Sequence, residues 1–163
     1  MFEAETLTLA QSVLEACRAR SWRLATAESC TGGLVAGALT AIAGSSDVVE
    51  RGFVTYSNEA KSELLGVPPE TFAAHGAVSA ETAALMARGA LARAPVELAI
   101  SVIGIAGPGG ATPTKPVGLV LFGVARRDGS CHTESQVFAG DRSAVRKAAL
   151  IAALRLLEAE TSS

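Results

Sequence analysis

The chain predicts a three-layer α/β/α sandwich around a mixed, mostly parallel sheet of about five or six strands. Three observations carry this. Helix-period and strand-like segments alternate through the first two thirds of the chain. Leu98 to Ala106 is a continuous apolar run, the pattern of a strand covered on both faces. Asp128-Gly129 then marks a hairpin between two strand-like runs, so one late strand, from Gly118, should lie antiparallel to its neighbours.

The elements follow in order. Leu7, Ala10, Val13, Leu14 and Cys17 recur at helical spacing, which predicts a helix from about Glu3 to Arg20, with Arg18 and Arg20 suiting its C-terminal end. Trp22 to Ala27 reads as the first strand. Gly32 to Ile42 is uncharged and rich in Ala and Gly, a helix suited to close packing on a sheet, with Thr31 as its expected N-cap. Val48 to Tyr56 is the next strand, interrupted by Arg51-Gly52, where a bend or bulge is expected. Asn58 is the expected N-cap of a short helix through Leu65, closed by Gly66 and Pro68-Pro69. A second short helix spans about Pro69 to Ala74. Ser79-Ala80-Glu81-Thr82 opens a long one that ends by Pro95. Gly118 to Arg126 and Cys131 to Phe138 form the hairpin. Val145, Ala148/Ala149, Ala152 and Leu156 share one face of the last helix, and Glu158 to Ser163 is expected to fray. No repeat or linker divides the chain, so residues 1–163 are expected to form a single domain.

Composition narrows the function. Hydrophobic residues make up 49% and charged residues 18%, a globular balance. No apolar run reaches the ~18 residues that span a bilayer. The N-terminus, Met1-Phe2-Glu3-Ala4-Glu5, is acidic and lacks a signal peptide's basic segment, which predicts a cytoplasmic protein with no membrane partner. Cys17, Cys30 and Cys131 fit neither a disulfide framework nor metal-ligand spacing. A net charge of −2 and 4% aromatics argue against nucleic-acid binding. The standard nucleotide-loop patterns GxGxxG and GxxxxGK[ST] are absent.

Three loops at expected strand ends are rich in reactive or phosphate-binding side chains and backbone. The first is Glu28-Ser29-Cys30-Thr31-Gly32-Gly33, between a strand and a helix. Ser29 there is either a nucleophile flanked by backbone N–H groups or a helix-capping hydroxyl. Glu28 either orients a partner or bonds the loop amides, and Cys30 is the alternative nucleophile, without an evident histidine partner. The second loop is Tyr56-Ser57-Asn58-Glu59-Ala60-Lys61. Lys61 falls on a first helical turn, where the helix dipole opposes its charge and favours the neutral amine that a general base needs; the alternative is a solvated lysine. Tyr56 either relays a hydrogen bond to the site or packs at a strand end. The third loop, Gly104 to Thr112, is either a connector or an anion cradle. His75 and His132 lie at unrelated places and form no Ser-His-Asp set.

Taken together these stretches resemble the CinA C-terminal domain family. The resemblance rests on Thr26-Ala27-Glu28-Ser29-Cys30-Thr31-Gly32-Gly33, Tyr56-Ser57-Asn58-Glu59-Ala60-Lys61, His75-Gly76-Ala77-Val78-Ser79, Gly104-Ile105-Ala106-Gly107-Pro108-Gly109-Gly110, Lys115-Pro116-Val117-Gly118 and Gly140-Asp141-Arg142, which cover nearly the whole chain in the family's order. It implies a nicotinamide-nucleotide amidohydrolase, converting nicotinamide mononucleotide to nicotinate mononucleotide and ammonia in pyridine-nucleotide salvage, in a stand-alone form without the N-terminal domain of larger members. On that resemblance Ser29 is the nucleophile, Lys61 the base and Tyr56 their neighbour. Cys30, Thr31, Gly32 and Gly33 surround the reacting carbonyl. Gly107, Pro108, Gly109, Gly110, Thr112 and Arg142 are the expected nucleotide and phosphate contacts. No metal and no organic cofactor is expected, and homo-oligomerisation is left open. The rival expectation is a non-catalytic nucleotide-binding domain, or one serving a competence or DNA-damage assembly.

Overall fold

The structure, a computed structural model, describes residues 1–163. Its order is α1 (Ala4–Ala19), β1 (Leu24–Glu28), α2 (Leu34–Thr40), β2 (Val49–Val54), α3 (Asn58–Leu65), α4 (Pro69–His75), α5 (Ala80–Arg93), β3 (Leu98–Gly104), β4 (Leu119–Arg126), β5 (Cys131–Val137) and α6 (Arg142–Ser162). The five strands form one sheet in the order β2-β1-β3-β4-β5. β1 runs parallel to both β2 and β3, while β4 is antiparallel to β3 and to β5. Only β4 therefore runs against the rest, as the hairpin signal at Asp128-Gly129 predicts.

β3 shows why its run is apolar but for Ser101, whose buried hydroxyl donates to Ala83 C=O. Leu98, Ile100 and Val102 enter a core with α1, α2 and α6 on one face of the sheet. Ala99 and Ile103 enter a second core beneath α5 on the other face, joined by Leu65 of α3. Period-two alternation thus serves two apolar layers and leaves no polar face. β5 is the opposite case. It is an edge strand, exposed from His132 to Val137, and its polar sequence blunts that edge.

Several local expectations are corrected. Thr31 is not the cap of α2. Gly33, at φ 99°, occupies the N-cap position, and the Oγ1 of Thr31 is buried without a hydrogen-bond partner. The capping oxygens come from Glu28, whose carboxylate accepts from the N–H groups of Val35 (2.9 Å) and Ala36 (3.0 Å). A carboxylate at a helix N-terminus is well placed electrostatically, and a strand-end glutamate can reach there only because the chain turns back within five residues. Asn58 is likewise the first residue of α3, whereas Ser57 is its cap and accepts from Ala60 N–H. The irregularity of β2 sits one residue early: Leu24 pairs with Val49 but Ala25 with Arg51, so Glu50 is the extra residue. The C-terminal tail does not fray. α6 continues to Ser162, Thr161 is buried, and Arg20 donates to the carbonyls of Thr161 (2.7 Å) and Ser163.

The chain leaves β1 toward β2 on one side and later places β3 on the other. Helices from these two connections cover opposite faces, so a crevice opens beyond the C-terminal ends of β1 and β3. The loops after β1, β2 and β3 all emerge at this edge. β4 starts there, because Gly104 pairs with Val120. β5 ends there, because Val137 pairs with Leu119. The N-terminus of α6 is consequently delivered to the same edge.

Candidate active site

A cavity of about 230 Å³ lies at this edge. The first loop contributes Ser29 and Cys30, and the second Tyr56, Asn58 and Lys61. The end of β3 and the chain beyond it form the floor at Ile103, Gly104 and Ala106. Ala77 and Val78, between α4 and α5, add an apolar wall, and Arg142 closes the far side from α6. A larger hollow of about 420 Å³ between β5 and α6 contains no serine, cysteine or lysine.

Lys61 defines the chemistry of the cavity. It is 2% exposed, on the first turn of a helix whose other buried residue is Leu65. Its Nζ donates to the carbonyls of Tyr56 (3.2 Å) and Ser57 (3.3 Å), which lie just before the helix. Burial pushes its pKa below the ordinary lysine value, opposed by Cys30 and Glu59. Burial pushes the neighbouring Cys30 thiol the other way, up to about 11, although its own backbone and then Arg146 counteract this. Both groups are thereby driven toward their neutral forms. Ser29 Oγ lines the same cavity and makes no hydrogen bond to another residue.

The turn holding Ser29 is fixed from two sides. Ser29 N–H donates to Val102 on β3, and Gly32 N–H donates back to Ser29 C=O. Glu28 fastens the turn to α2, as described. From α6, Arg146 donates through Nε to Cys30 C=O (3.0 Å) and through Nη2 to Thr31 C=O (3.2 Å). The backbone N–H groups of Cys30, Thr31 and Gly33 make no hydrogen bond within the chain. One helical turn before Arg146, Arg142 donates to Gly107 C=O (2.9 Å) and to Tyr56 Oη (2.7 Å). The two arginines, four residues apart, thus tie α6 to all three loops.

The structure brings Ser29, Cys30, Tyr56, Lys61 and Arg142 around one cavity. Thr31, Gly32 and Gly33 support the turn behind it, with Gly32 facing Arg146 and Gly33 facing Val54. Gly107 is buried and meets Arg142 through its carbonyl. Pro108, Gly109, Gly110 and Thr112 are exposed on the loop beyond, which closes on itself where Thr112 N–H meets Lys115 C=O. The sequence reading did not assign Glu28 to the first amides of α2, Arg146 to the Ser29 turn, or Ala77 and Val78 to the lining. Arg146 alone had a legible signal: it follows Arg142 by one helical turn. No helix is long and apolar enough to cross a membrane.

Comparison with known proteins agrees with this architecture. The chain is 50% identical to nicotinamide-nucleotide amidohydrolase PncC from Escherichia coli strain K12 over 157 residues, 96% of this chain and 95% of that one. It is 50% identical to a putative competence-damage inducible protein of Caldicellulosiruptor bescii over 135 residues, 83% of this chain but 33% of that longer protein. The crystal structure of competence/damage inducible protein CihA from Agrobacterium tumefaciens superimposes with a TM-score of 0.96 at 44% identity, covering 100% of this chain and 99% of that one. The strand-end serine, the buried lysine and the arginine-tied loops stand within residues 6–161, which match the family model described as the CinA C-terminal domain, and the chain belongs to that family.

Proposed function

We propose that this protein hydrolyses the carboxamide of nicotinamide mononucleotide, yielding nicotinate mononucleotide and ammonia in pyridine-nucleotide salvage, through a serine nucleophile and a lysine base. The observation that carries the mechanism is Lys61, a lysine withdrawn from water in the cavity that a strand-end serine lines, with its pKa pushed down by burial. Fully buried lysines are rare in proteins unless paired or used. The near full-length match, 96% of this chain and 95% of the other, with an amidohydrolase at 50% identity supports the reaction and substrate.

Ser29 Oγ attacks the carboxamide carbon while neutral Lys61 takes its proton, giving a tetrahedral oxyanion and an ammonium on Lys61. The unpaired N–H groups of the Ser29 turn stabilise the oxyanion. As the C–N bond breaks, Lys61 returns the proton to the leaving nitrogen, which departs as ammonia and leaves an acyl-enzyme. Water, deprotonated by Lys61, attacks the acyl carbon; Ser29 regains its proton and the carboxylate leaves. Cys30 is the poorer nucleophile, because a thiol whose pKa is pushed up to about 11 holds little thiolate at neutral pH.

A cavity of about 230 Å³ is smaller than the roughly 300–1,000 Å³ pockets that enclose drug-sized ligands. It accommodates the pyridine carboxamide and directs the ribose phosphate outward past Arg142 and the exposed Gly109-Gly110 segment. Arg142 retains donors beyond those given to Gly107 and Tyr56, and a phosphate is a natural acceptor for them. The deciding experiment measures ammonia release from nicotinamide mononucleotide by the wild type and by Ser29→Ala. Release by the first and none by the second is expected. Tight nucleotide binding without release would favour a non-catalytic nucleotide-binding domain.

A further inference from the structure

Arg146 makes the side-chain hydrogen bonds from α6 to the backbone of the Ser29 turn, and it takes two successive carbonyls with two N–H groups of one planar guanidinium. In a trans peptide the C=O and the following N–H point in opposite directions. Drawing Cys30 C=O and Thr31 C=O toward α6 therefore turns Thr31 N–H and Gly32 N–H away from it. Gly32 N–H is already given to Ser29 C=O. Thr31 N–H, in a residue with no exposed surface, is given to nothing within the chain, nor is that of Cys30. Gly32, at φ 59°, leaves the guanidinium close over the turn: a Cβ there would lie 3.6 Å from Arg146 Nη2. A charged donor on the carbonyl oxygen also polarises its own peptide group and strengthens the N–H as a donor.

We propose that Arg146 is a positioning residue for the oxyanion: by holding the carbonyls of Cys30 and Thr31 it fixes the turn so that the free N–H of Cys30, a residue that lines the cavity, faces the oxygen that becomes negative when Ser29 attacks. This rests on the amidohydrolase reading above for its substrate, but not for its geometry. Arg146 touches no reacting atom. Its contribution appears only as charge develops on the oxygen, so it lowers the barrier without strengthening ground-state binding.

The test compares wild type, Arg146→Ala, Arg146→Lys and, as a control on the same helix, Lys147→Ala, whose amine pairs with the exposed Glu3. Two rates are measured: ammonia release from nicotinamide mononucleotide, and phosphonylation of Ser29 by a fluorophosphonate. The second displaces fluoride, is followed by mass spectrometry, needs the same oxyanion donors and does not need the nucleotide. For Arg146→Ala, kcat and the labelling rate should fall about 10–100-fold, the loss typical of a group that orients catalytic donors. KM should stay within about twofold, and millimolar guanidinium should restore part of both rates. Arg146→Lys, with one donor in place of the fork, should fall between the two, and Lys147→Ala should match wild type. Wild-type rates in Arg146→Ala would overturn the inference. So would a loss of Tm with KM and kcat both altered and no rescue, which marks a merely structural arginine. If Arg146→Ala does not fold, a wild-type labelling rate in Arg146→Lys overturns it equally. Failure of the substrate reading has a different signature: wild type releases no ammonia, yet Ser29 is labelled and the labelling falls in Arg146→Ala. A wild-type Ser29 that does not label sinks the inference itself.

Discussion

Lysine is the residue least suited to the place that Lys61 occupies. Its ammonium loses hydration on burial, and two neutral carbonyls replace only part of it. In the folded state its pKa lies below the unfolded value of about 10.4. Between those two values the unfolded chain binds more protons than the folded one, so this group makes stability rise with pH across that window, and lowers it below the window. The same shift makes activity rise with pH, since only the neutral amine accepts the Ser29 proton, and places the rise below that of an ordinary lysine. Lys61→Met should abolish ammonia release and leave Tm at neutral pH equal to wild type or higher, because an apolar chain of similar length suits the site better. An active Lys61→Met would remove the lysine from the mechanism. Arg142→Ala should cost nicotinamide mononucleotide about 2–4 kcal/mol in kcat/KM and nicotinamide riboside far less, if its free donors meet the phosphate; equal losses would reduce Arg142 to its ties with Gly107 and Tyr56. Ser29, Lys61 and Tyr56 were legible as candidates because their residue types are costly or reactive where the pattern of elements places them, whereas Arg142 entered only through the family resemblance. The particular partners of Glu28 and Arg146 were not legible, because both bond backbone atoms, and which amide or carbonyl a side chain reaches depends on the path of the chain.

At the scale of elements, caps connect the fold to the site. Glu28 is the last residue of β1 and supplies both oxygens to the start of α2, so one side chain joins strand, nucleophile turn and helix. Glu28→Ala should strand two buried N–H donors at a cost of about 1–3 kcal/mol each at most, read as a fall in denaturation midpoint, with kcat falling as the turn loosens. Retention of both would show that solvent or Thr31 replaces the carboxylate. Hydrophobic period located α1, α5 and α6 and apolar runs located β3 and β4, whereas caps, breakers and the Asp128-Gly129 turn located α3, α4 and β5. Caps were less legible, since Thr31, Ser57 and Asn58 are all good cap residues by type and only the path of the chain chooses among them. The C-terminal end failed for a tertiary reason. Residues 158–163 carry polar side chains that read as a tail, but Arg20, stacked 4.8 Å over Trp22, reaches the carbonyls of Thr161 and Ser163 and keeps the last turn wound.

Across the whole molecule, the cavity depends on how closely α5 lies on the sheet. Two glycines set how closely α5 approaches its neighbours, one toward α3 and one toward the sheet. Gly89 on α5 passes so near α3 that a Cβ would fall 2.0 Å from Leu65 C=O. Gly123 on β4 faces α5, where a Cβ would fall 2.4 Å from Ala83 C=O and 2.7 Å from Ser101 Oγ, the hydroxyl that donates to that carbonyl. Backbone atoms obstruct both positions, so a rotamer change cannot relieve the clash; the helix must move. α5 begins just after Ala77 and Val78, the apolar wall opposite Ser29, and the other end of its contact network is α3, which carries Lys61. Gly123→Ala should therefore destabilise the protein by about 1–3 kcal/mol or more, the range for overpacked cores, and should also raise KM by displacing the wall, although Gly123 lies outside the cavity lining. Gly129→Ala is the contrast: its Cβ would meet nothing, and its cost comes from φ 96° alone, at the far end of the β4–β5 hairpin. It should lower Tm and leave KM untouched. Urea denaturation and steady-state kinetics on the two variants separate the cases. If Gly123→Ala loses stability while KM is unchanged, the layer spacing is independent of the site, and the cavity is held by its loops and the α6 arginines alone.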